Sequence, residues 1–197
     1  MNLNYPQIIG ITGRKFNGKD TLGNFLIEKK GYKRIAFADA LKDACKCIFG
    51  LTDEQLYGNL KEVEDPFWKT TPRKILQFVG TDLFRENLMK IMPWIDKNIW
   101  IEVVKKKILD EIEIDPNVKI VVTDVRFDNE INLIKELHGL TLRVVRPDIN
   151  NNLDLHQSEI EIDRLDVNYE ILNNGTLEEL YSKIENLLNN NTFNMLG

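Results

Sequence analysis

Between Ile8 and Thr21 the chain reads Ile-Ile-Gly-Ile-Thr-Gly-Arg-Lys-Phe-Asn-Gly-Lys-Asp-Thr, with four residues separating Gly13 from Gly18-Lys19. Directly after an apolar strand and opening a helix, this is a P-loop. Gly13 and Gly18 permit the backbone angles that turn successive N–H groups inward. Lys19 and the helix N-terminus bring positive charge to the β and γ phosphates of a nucleotide. Asp20 stands where Ser or Thr usually offers a hydroxyl to magnesium, with Thr21 one position later. A carboxylate can take the same ion directly or through water; a first-turn acid is also favoured by the helix dipole alone, and both readings stay open.

A second candidate is Asp124, at the end of the apolar run Lys119–Thr123. In a doubly wound sheet this places a carboxylate at the carboxyl edge beside the P-loop, where it could hold magnesium; a strand-ending Asp that merely starts a turn is the plainer alternative. Arg126, two residues on, could reach the same cleft. A third candidate is a polar stripe: Arg73, Gln77, Thr81 and Arg85 recur every four residues in Pro72–Lys90, while Ile75, Leu76, Val79, Leu83 and Leu88 take other faces. Guanidinium matches phosphate bidentately, and an amide can donate to and accept from a base edge. A solvated helix face has the same pattern. Among the aromatics, Phe37, Phe67, Trp68 and Trp100 could stack on a base, although such residues more often fill a core. His156, with Ser158 and Glu159, is too isolated for a catalytic triad, and His138 reads as a helix-end residue.

These residues need a scaffold, and the chain alternates apolar strands with segments of helical period, as an α/β protein with a parallel sheet does. The strands are expected at Ile8–Thr12, Tyr32–Ala36, Lys119–Thr123, Thr141–Val145 and Tyr169–Leu172. Helices are expected at Lys19–Lys29, Ala40–Phe49, Pro72–Lys90, Ile99–Glu113, Asn129–His138 and Thr176–Leu188. Thr71 before Pro72, Asp128 before Asn129 and Gly139 after His138 punctuate them. The stretch Pro147–Asp166 is rich in Asp, Asn and Glu and is expected to form an exposed excursion, a candidate lid; the Asn-rich tail from Asn189 is expected to fray.

The whole composition bounds the function. With 197 residues the chain suits one domain that needs neither disulfide nor structural metal. Its 26 basic and 31 acidic residues give a net charge of -5, so no global basic field exists to hold a nucleic-acid polymer. Cys45 and Cys47 lack the further ligands a zinc site needs. The start carries no signal-peptide pattern and no apolar run suits a membrane span, so a cytoplasmic protein is expected.

Taken together, Gly13–Thr21, Ala36–Lys42, Thr71–Asp82, Asp124–Glu130, His156–Glu159 and Asn173–Leu180 resemble the deoxynucleoside monophosphate kinases of bacteriophages and large DNA viruses. The resemblance implies a three-layer P-loop kinase core with a parallel five-stranded sheet, a helical monophosphate-binding insertion and a lid. The core would comprise residues 1–36, 118–147 and 167–190, the acceptor region 37–117 and the lid 148–166. It implies transfer of the γ-phosphoryl of ATP to a deoxynucleoside monophosphate with Mg2+, in the host cytoplasm if the protein is viral. It assigns Gly13, Arg14, Asn17, Gly18, Lys19, Asp20 and Thr21 to ATP, with Asn173 and Gly175 near adenine. Asp20 and Asp124 would serve the metal. Asp39, Lys42, Arg73, Gln77, Thr81, Arg85, Trp100 and Arg126 would hold the acceptor, and Lys19, Arg126 and Arg146 would be catalytic, with Arg164 in the lid. Small-molecule substrates alone are implied, with neither nucleic-acid polymer nor membrane; a homodimer is left open. Three other readings compete: a P-loop kinase for another acceptor, such as phosphomevalonate or dephospho-coenzyme A, a nucleotide-dependent switch or ATPase, and a binding module with a vestigial P-loop, against which Lys19, Asp124 and the candidate arginines argue. The guanine motif Asn-Lys-x-Asp is absent from the sequence.

Overall fold

The computed structural model describes residues 5–95, 98–147 and 162–190. They fall into two compact units, Met1–Ala36 with Lys105–Gly197, and Phe37–Val104.

In the first unit five parallel strands form one sheet: β1 (Ile8–Thr12), β2 (Lys33–Ile35), β3 (Ile120–Val122), β4 (Leu140–Val145) and β5 (Tyr169–Leu172), in spatial order β2-β3-β1-β4-β5. All five lie within a residue or so of the runs expected from sequence. β1, β3 and β4 are buried on both faces because helices cover the sheet, the reason such strands read as continuous apolar runs, whereas the edge strands β2 and β5 keep Lys33, Arg34, Tyr169, Glu170 and Leu172 exposed. α1 (Lys19–Lys30), α7 (Asp128–Glu136) and α8 (Leu177–Asn190) belong to this unit. Ile9, Ile11, Leu22, Leu26, Val121, Leu142, Val144 and Ile184 form one fully buried cluster, each side chain contributing roughly 1.5–3 kcal/mol by leaving water. Gly10 permits a close approach: a Cβ there would come within 2.9 Å of Ile134 on α7.

The second unit is helical. α2 (Phe37–Phe49) starts three residues earlier than its expected position. α3 (Asp53–Tyr57) opens with a reciprocal cap in which Thr52 and Gln55 bond each other's backbone N–H. A 3-10 turn follows at Asn59–Glu62. The single helix expected over Pro72–Lys90 is instead three pieces: α4 (Pro72–Gln77), a π-helical segment (Phe78–Asn87) and α5 (Leu88–Ile91). Thr71 caps α4 as expected. Cys45, Leu51, Leu56, Ile75, Leu76 and Val79 make the core of this unit. Both cysteines are free, and burial pushes the Cys45 thiol up. The last helix, α6 (Ile99–Ile114), runs through the division at Val104.

No helix among the described residues is long and apolar enough to cross a membrane. Of the expected lid, residues 148–161 lie outside the described residues, His156, Ser158 and Glu159 among them, as does the tail from 191.

Candidate active site

The order β3-β1-β4 puts the carboxyl end of the first strand at the switch point of the sheet, where α/β proteins bind their ligands. Gly13 follows β1 with φ 153° and Gly18 has φ 98°; neither angle suits a side chain. Space forbids one as well: a Cβ on Gly13 would stand 2.7 Å from the Val144 carbonyl oxygen, and one on Gly18 2.5 Å from Asn173 Nδ2. Gly18 caps α1 without any side-chain bond, so the first N–H groups of that helix face outward for an anion. Lys19 begins the helix, its largely buried side chain 3.8 Å from the exposed carboxylate of Asp20.

Two strand ends hold this loop in shape, and a third is tied to the strand that leads into it. From β4, the Val144 carbonyl accepts a 3.1 Å bond from Asn17 Nδ2, which is buried. After β5, Asn173 donates through Nδ2 to the Asn17 carbonyl at 2.9 Å, while its own N–H bonds Val145 at 2.7 Å. After β3, the Val125 N–H donates to the Ile11 carbonyl at 3.2 Å. Asp124 lies two residues past the end of β3, in the turn whose Val125 N–H reaches the end of β1. Gly13, Asn17, Gly18, Lys19, Asp124 and Asn173 are thus gathered at one sheet edge. Gly175 lies in the turn before α8, whose cap is made by Thr176 and Glu179.

A cavity of about 260 Å³ opens beside the loop, lined by Gly13, Arg14, Asn17, Arg143, Arg146 and Asp163 among others. Arg14 grips Asp163 with two nitrogens, Nε lying 3.1 Å from Oδ1. Arg143 pairs with Glu170 and the Leu165 carbonyl. Arg146, exposed at the end of β4, makes no bond or ion pair among the described residues. Arg164 lies in a short 3-10 turn beside Asp163.

The loop Asp124–Phe127 is fixed by a residue that sequence reading passed over. Glu130 is only 3% exposed, and its Oε2 accepts the Arg126 N–H at 2.7 Å and the Phe127 N–H at 3.3 Å. Its place three residues past Phe127, at the start of a helix, suits an acid that reaches back to the preceding N–H groups, but its burial is set by the fold.

The acceptor candidates lie in the second unit, apart from Arg126. Arg73 is ion-paired to Glu62. Gln77 and Thr81 are exposed, whereas Arg85 is half-buried and engaged with a neighbour. Lys42 sits 3.9 Å over the Tyr57 ring and Asp39 is in the first turn of α2. Trp100 is 7% exposed, its indole N–H donating 2.9 Å to the Gly80 carbonyl and its ring tilted against Phe84. Its place is therefore in the core of that unit, under the π-helical segment.

Residues 54–184 match the deoxynucleotide monophosphate kinase family. The chain is 43% identical over 188 residues to a protein of Acanthamoeba polyphaga mimivirus to which that activity is provisionally ascribed, covering 93% of this chain and 96% of the relative. It is 29% identical to the deoxynucleotide monophosphate kinase of Enterobacteria phage T4, across 95% of this chain and 69% of the phage enzyme. Among solved structures, dephospho-CoA kinase from Campylobacter jejuni superposes with a TM-score of 0.51 at 18% identity, covering 94% of this chain and 99% of that one; the likeness is one of fold.

Proposed function

The chain belongs to the deoxynucleotide monophosphate kinase family, and from that premise we propose how its residues divide the reaction. The enzyme phosphorylates a deoxynucleoside monophosphate at the expense of ATP. The bond between the β,γ-bridging oxygen and the γ-phosphorus breaks, and a new bond forms to an oxygen of the acceptor phosphate, giving ADP and the deoxynucleoside diphosphate.

The observation that carries the assignment is the strand-to-helix turn Gly13–Lys19, with its two side-chain-free positions and its uncapped helix start. There the N–H groups and Lys19 hold the β and γ phosphates, with Arg14, Asn17, Asp20 and Thr21 around them and Asn173 and Gly175 on the adenine side. The acceptor phosphate already carries its charge at neutral pH, so no general base is needed. Lys19, Arg126 and Arg146 act by stabilising charge on the transferring group. Arg73 and Arg85 hold the acceptor phosphate, Gln77 and Thr81 the nucleoside, and Asp39 and Lys42 the sugar or phosphate. Trp100 acts through the Gly80 carbonyl as a support for that surface.

The donor set also fits magnesium. Asp20 lies in the first turn of α1 and Asp124 in the turn after β3, both beyond the carboxyl ends of parallel strands. Magnesium in kinases characteristically takes one or two carboxylates, substrate phosphates and water rather than an all-protein cage. When bound it would neutralise phosphate charge. A cytoplasmic setting supplies both ATP and the ion, and a homodimer is compatible with these roles.

The test is ADP formation from ATP and magnesium with each of the four deoxynucleoside monophosphates, their ribonucleotide counterparts and a no-acceptor control. Acceptor-dependent ADP with the matching diphosphate is expected, and Lys19→Ala should reduce it by about 10²–10³-fold, the scale of losing one preorganised charge-stabilising group. ADP in the control alone, or transfer undiminished in a folded Lys19→Ala protein, would reject the assignment.

A further inference from the structure

The exposed side of α4 and the π-helical segment carries more than the acceptor stripe. Phe78 is 56% exposed, and no other ring lies against it among the described residues. Beside it in sequence is Gln77, and about one turn on are Thr81 and Asp82, all exposed. Their side chains make no hydrogen bond or ion pair with the described residues. Ile75, Leu76, Val79 and Gly80 take the buried side, where Gly80 is pressed so closely on Leu41 that a Cβ would come within 2.7 Å. The polar groups and the ring therefore share the side that faces solvent. A flat apolar face with donors and acceptors at its rim is what a nucleobase requires.

The winding of the segment decides which residues come together. In an α-helix a four-residue step overshoots a turn by about 40°, so Arg73 and Arg85, twelve residues apart, would be turned about 120° from each other. A π-helix bonds i to i+5 and takes more residues per turn, so the same step falls short and the drift reverses. Arg85 is brought back toward the side of Arg73, and Asp82 toward that of Gln77. At the end of the π-helical segment the Asn87 side chain donates through Nδ2 to the Asp82 carbonyl at 2.5 Å.

Resting on the acceptor-site reading above, we infer that Phe78 stacks on the acceptor base while Asp82 and Gln77 read its edge, and that the favoured base is guanine. An ionised carboxylate only accepts hydrogen bonds, so two adjacent donors satisfy it best. Guanine presents N1–H and the 2-amino group side by side, with O6 next to them for the Gln77 amide. Adenine and cytosine set an unprotonated ring nitrogen beside their single amino group, and thymine flanks its one N–H with carbonyls. Each would leave the carboxylate facing an acceptor.

The test is kcat/KM for dGMP, dAMP, dCMP and dTMP in wild type, Asp82→Asn, Phe78→Ala and Phe78→Tyr, each checked for folding by its melting temperature. Wild type should favour dGMP. Asp82→Asn should lose about 10–100-fold on dGMP alone, the scale of one good bidentate base contact, and leave dAMP unchanged or improved because a carboxamide suits adenine. Phe78→Ala should raise KM for every acceptor with KM for ATP unchanged, and Phe78→Tyr should restore it. Absence of a dGMP preference, or an equal or absent loss across the four acceptors in Asp82→Asn, would overturn the base assignment while leaving the kinase intact. No transfer to any acceptor would overturn the kinase reading and the base assignment with it.

Discussion

Glu130 shows how one side chain can serve a site without touching the ligand. Its buried carboxylate takes the N–H groups of Arg126 and Phe127, so the turn that carries Asp124 and Arg126 is tied to the first turn of α7. Glu130→Ala would leave two donors of that turn unpaired, at a cost of about 1–3 kcal/mol, and should lower kcat more than it raises KM for ATP. Glu130→Gln keeps an acceptor oxygen and should recover most of the stability. Thermal unfolding beside steady-state kinetics separates the two effects; an unchanged kcat in Glu130→Ala would sink the positioning role. From sequence the residue is merely an acid in a polar helix, because burial is a property of the fold. Gly13, Gly18 and Lys19 are legible for the opposite reason: their chemistry is tied to residue type and spacing, so the string itself contains the constraint.

Elements differ in the same way. β1 and β3 can be placed from the string because a doubly covered parallel strand must be apolar throughout, and β1 falls at Ile8–Thr12 as expected; the edge strand β5, with Tyr169, Glu170 and Leu172 exposed, is also found where expected, at Tyr169–Leu172. The π-helical run is not legible, since Val79, Leu83 and Leu88 fit a 3.6-residue period about as well as a longer one. α3 has five residues, too few for any period to show. The phosphate loop gives the sharpest test at this scale. Gly18→Ala must adopt φ 98° and place a methyl 2.5 Å from Asn173 Nδ2, breaking the bond by which Asn173 holds the Asn17 carbonyl. Left-handed strain costs about 1–3 kcal/mol. The variant should therefore lose stability and bind ATP at least tenfold more weakly, measured by denaturant unfolding and nucleotide titration. Asn173→Ala should keep more stability yet lose part of the same affinity.

Alkaline stability is a property of the whole molecule in which single groups can be followed. Tyr32 is 3% exposed and its hydroxyl donates to the Pro6 carbonyl at 2.7 Å. Burial, aided by the nearby Tyr5, pushes its phenol well above the ordinary value. The fold thus prefers the neutral phenol, so this stabilisation is fully present below the unfolded value near 10 and is lost as pH rises beyond it, by up to about 1.4 kcal/mol per pH unit. Lys119, 5.2 Å from the Tyr32 ring, pulls the other way: burial lowers its value, so the fold gains as the ammonium deprotonates. Comparing wild type with Tyr32→Phe isolates the phenol. Wild type should lose stability relative to the variant only above about pH 10; parallel curves from pH 8 to 11 would refute it.

Ligand binding gives the corresponding test of the nucleotide site at neutral pH. A ligand that binds only the folded chain stabilises it by RT ln(1 + [L]/Kd), about 2.7 kcal/mol at a hundredfold excess over Kd. For a chain of this size each kcal/mol moves Tm by roughly 2–4 °C. A non-hydrolysable ATP analogue with magnesium should accordingly raise Tm by about 5–11 °C. Because the phosphate loop belongs to the unit of Met1–Ala36 and Lys105–Gly197, the shift should appear in the transition of that unit should the two melt separately. Lys19→Ala should melt near wild type without ligand, since its only ion pair among the described residues is the 3.8 Å contact with exposed Asp20. It should nevertheless lose most of the shift. A full shift in Lys19→Ala would place the nucleotide somewhere other than the Gly13–Thr21 loop.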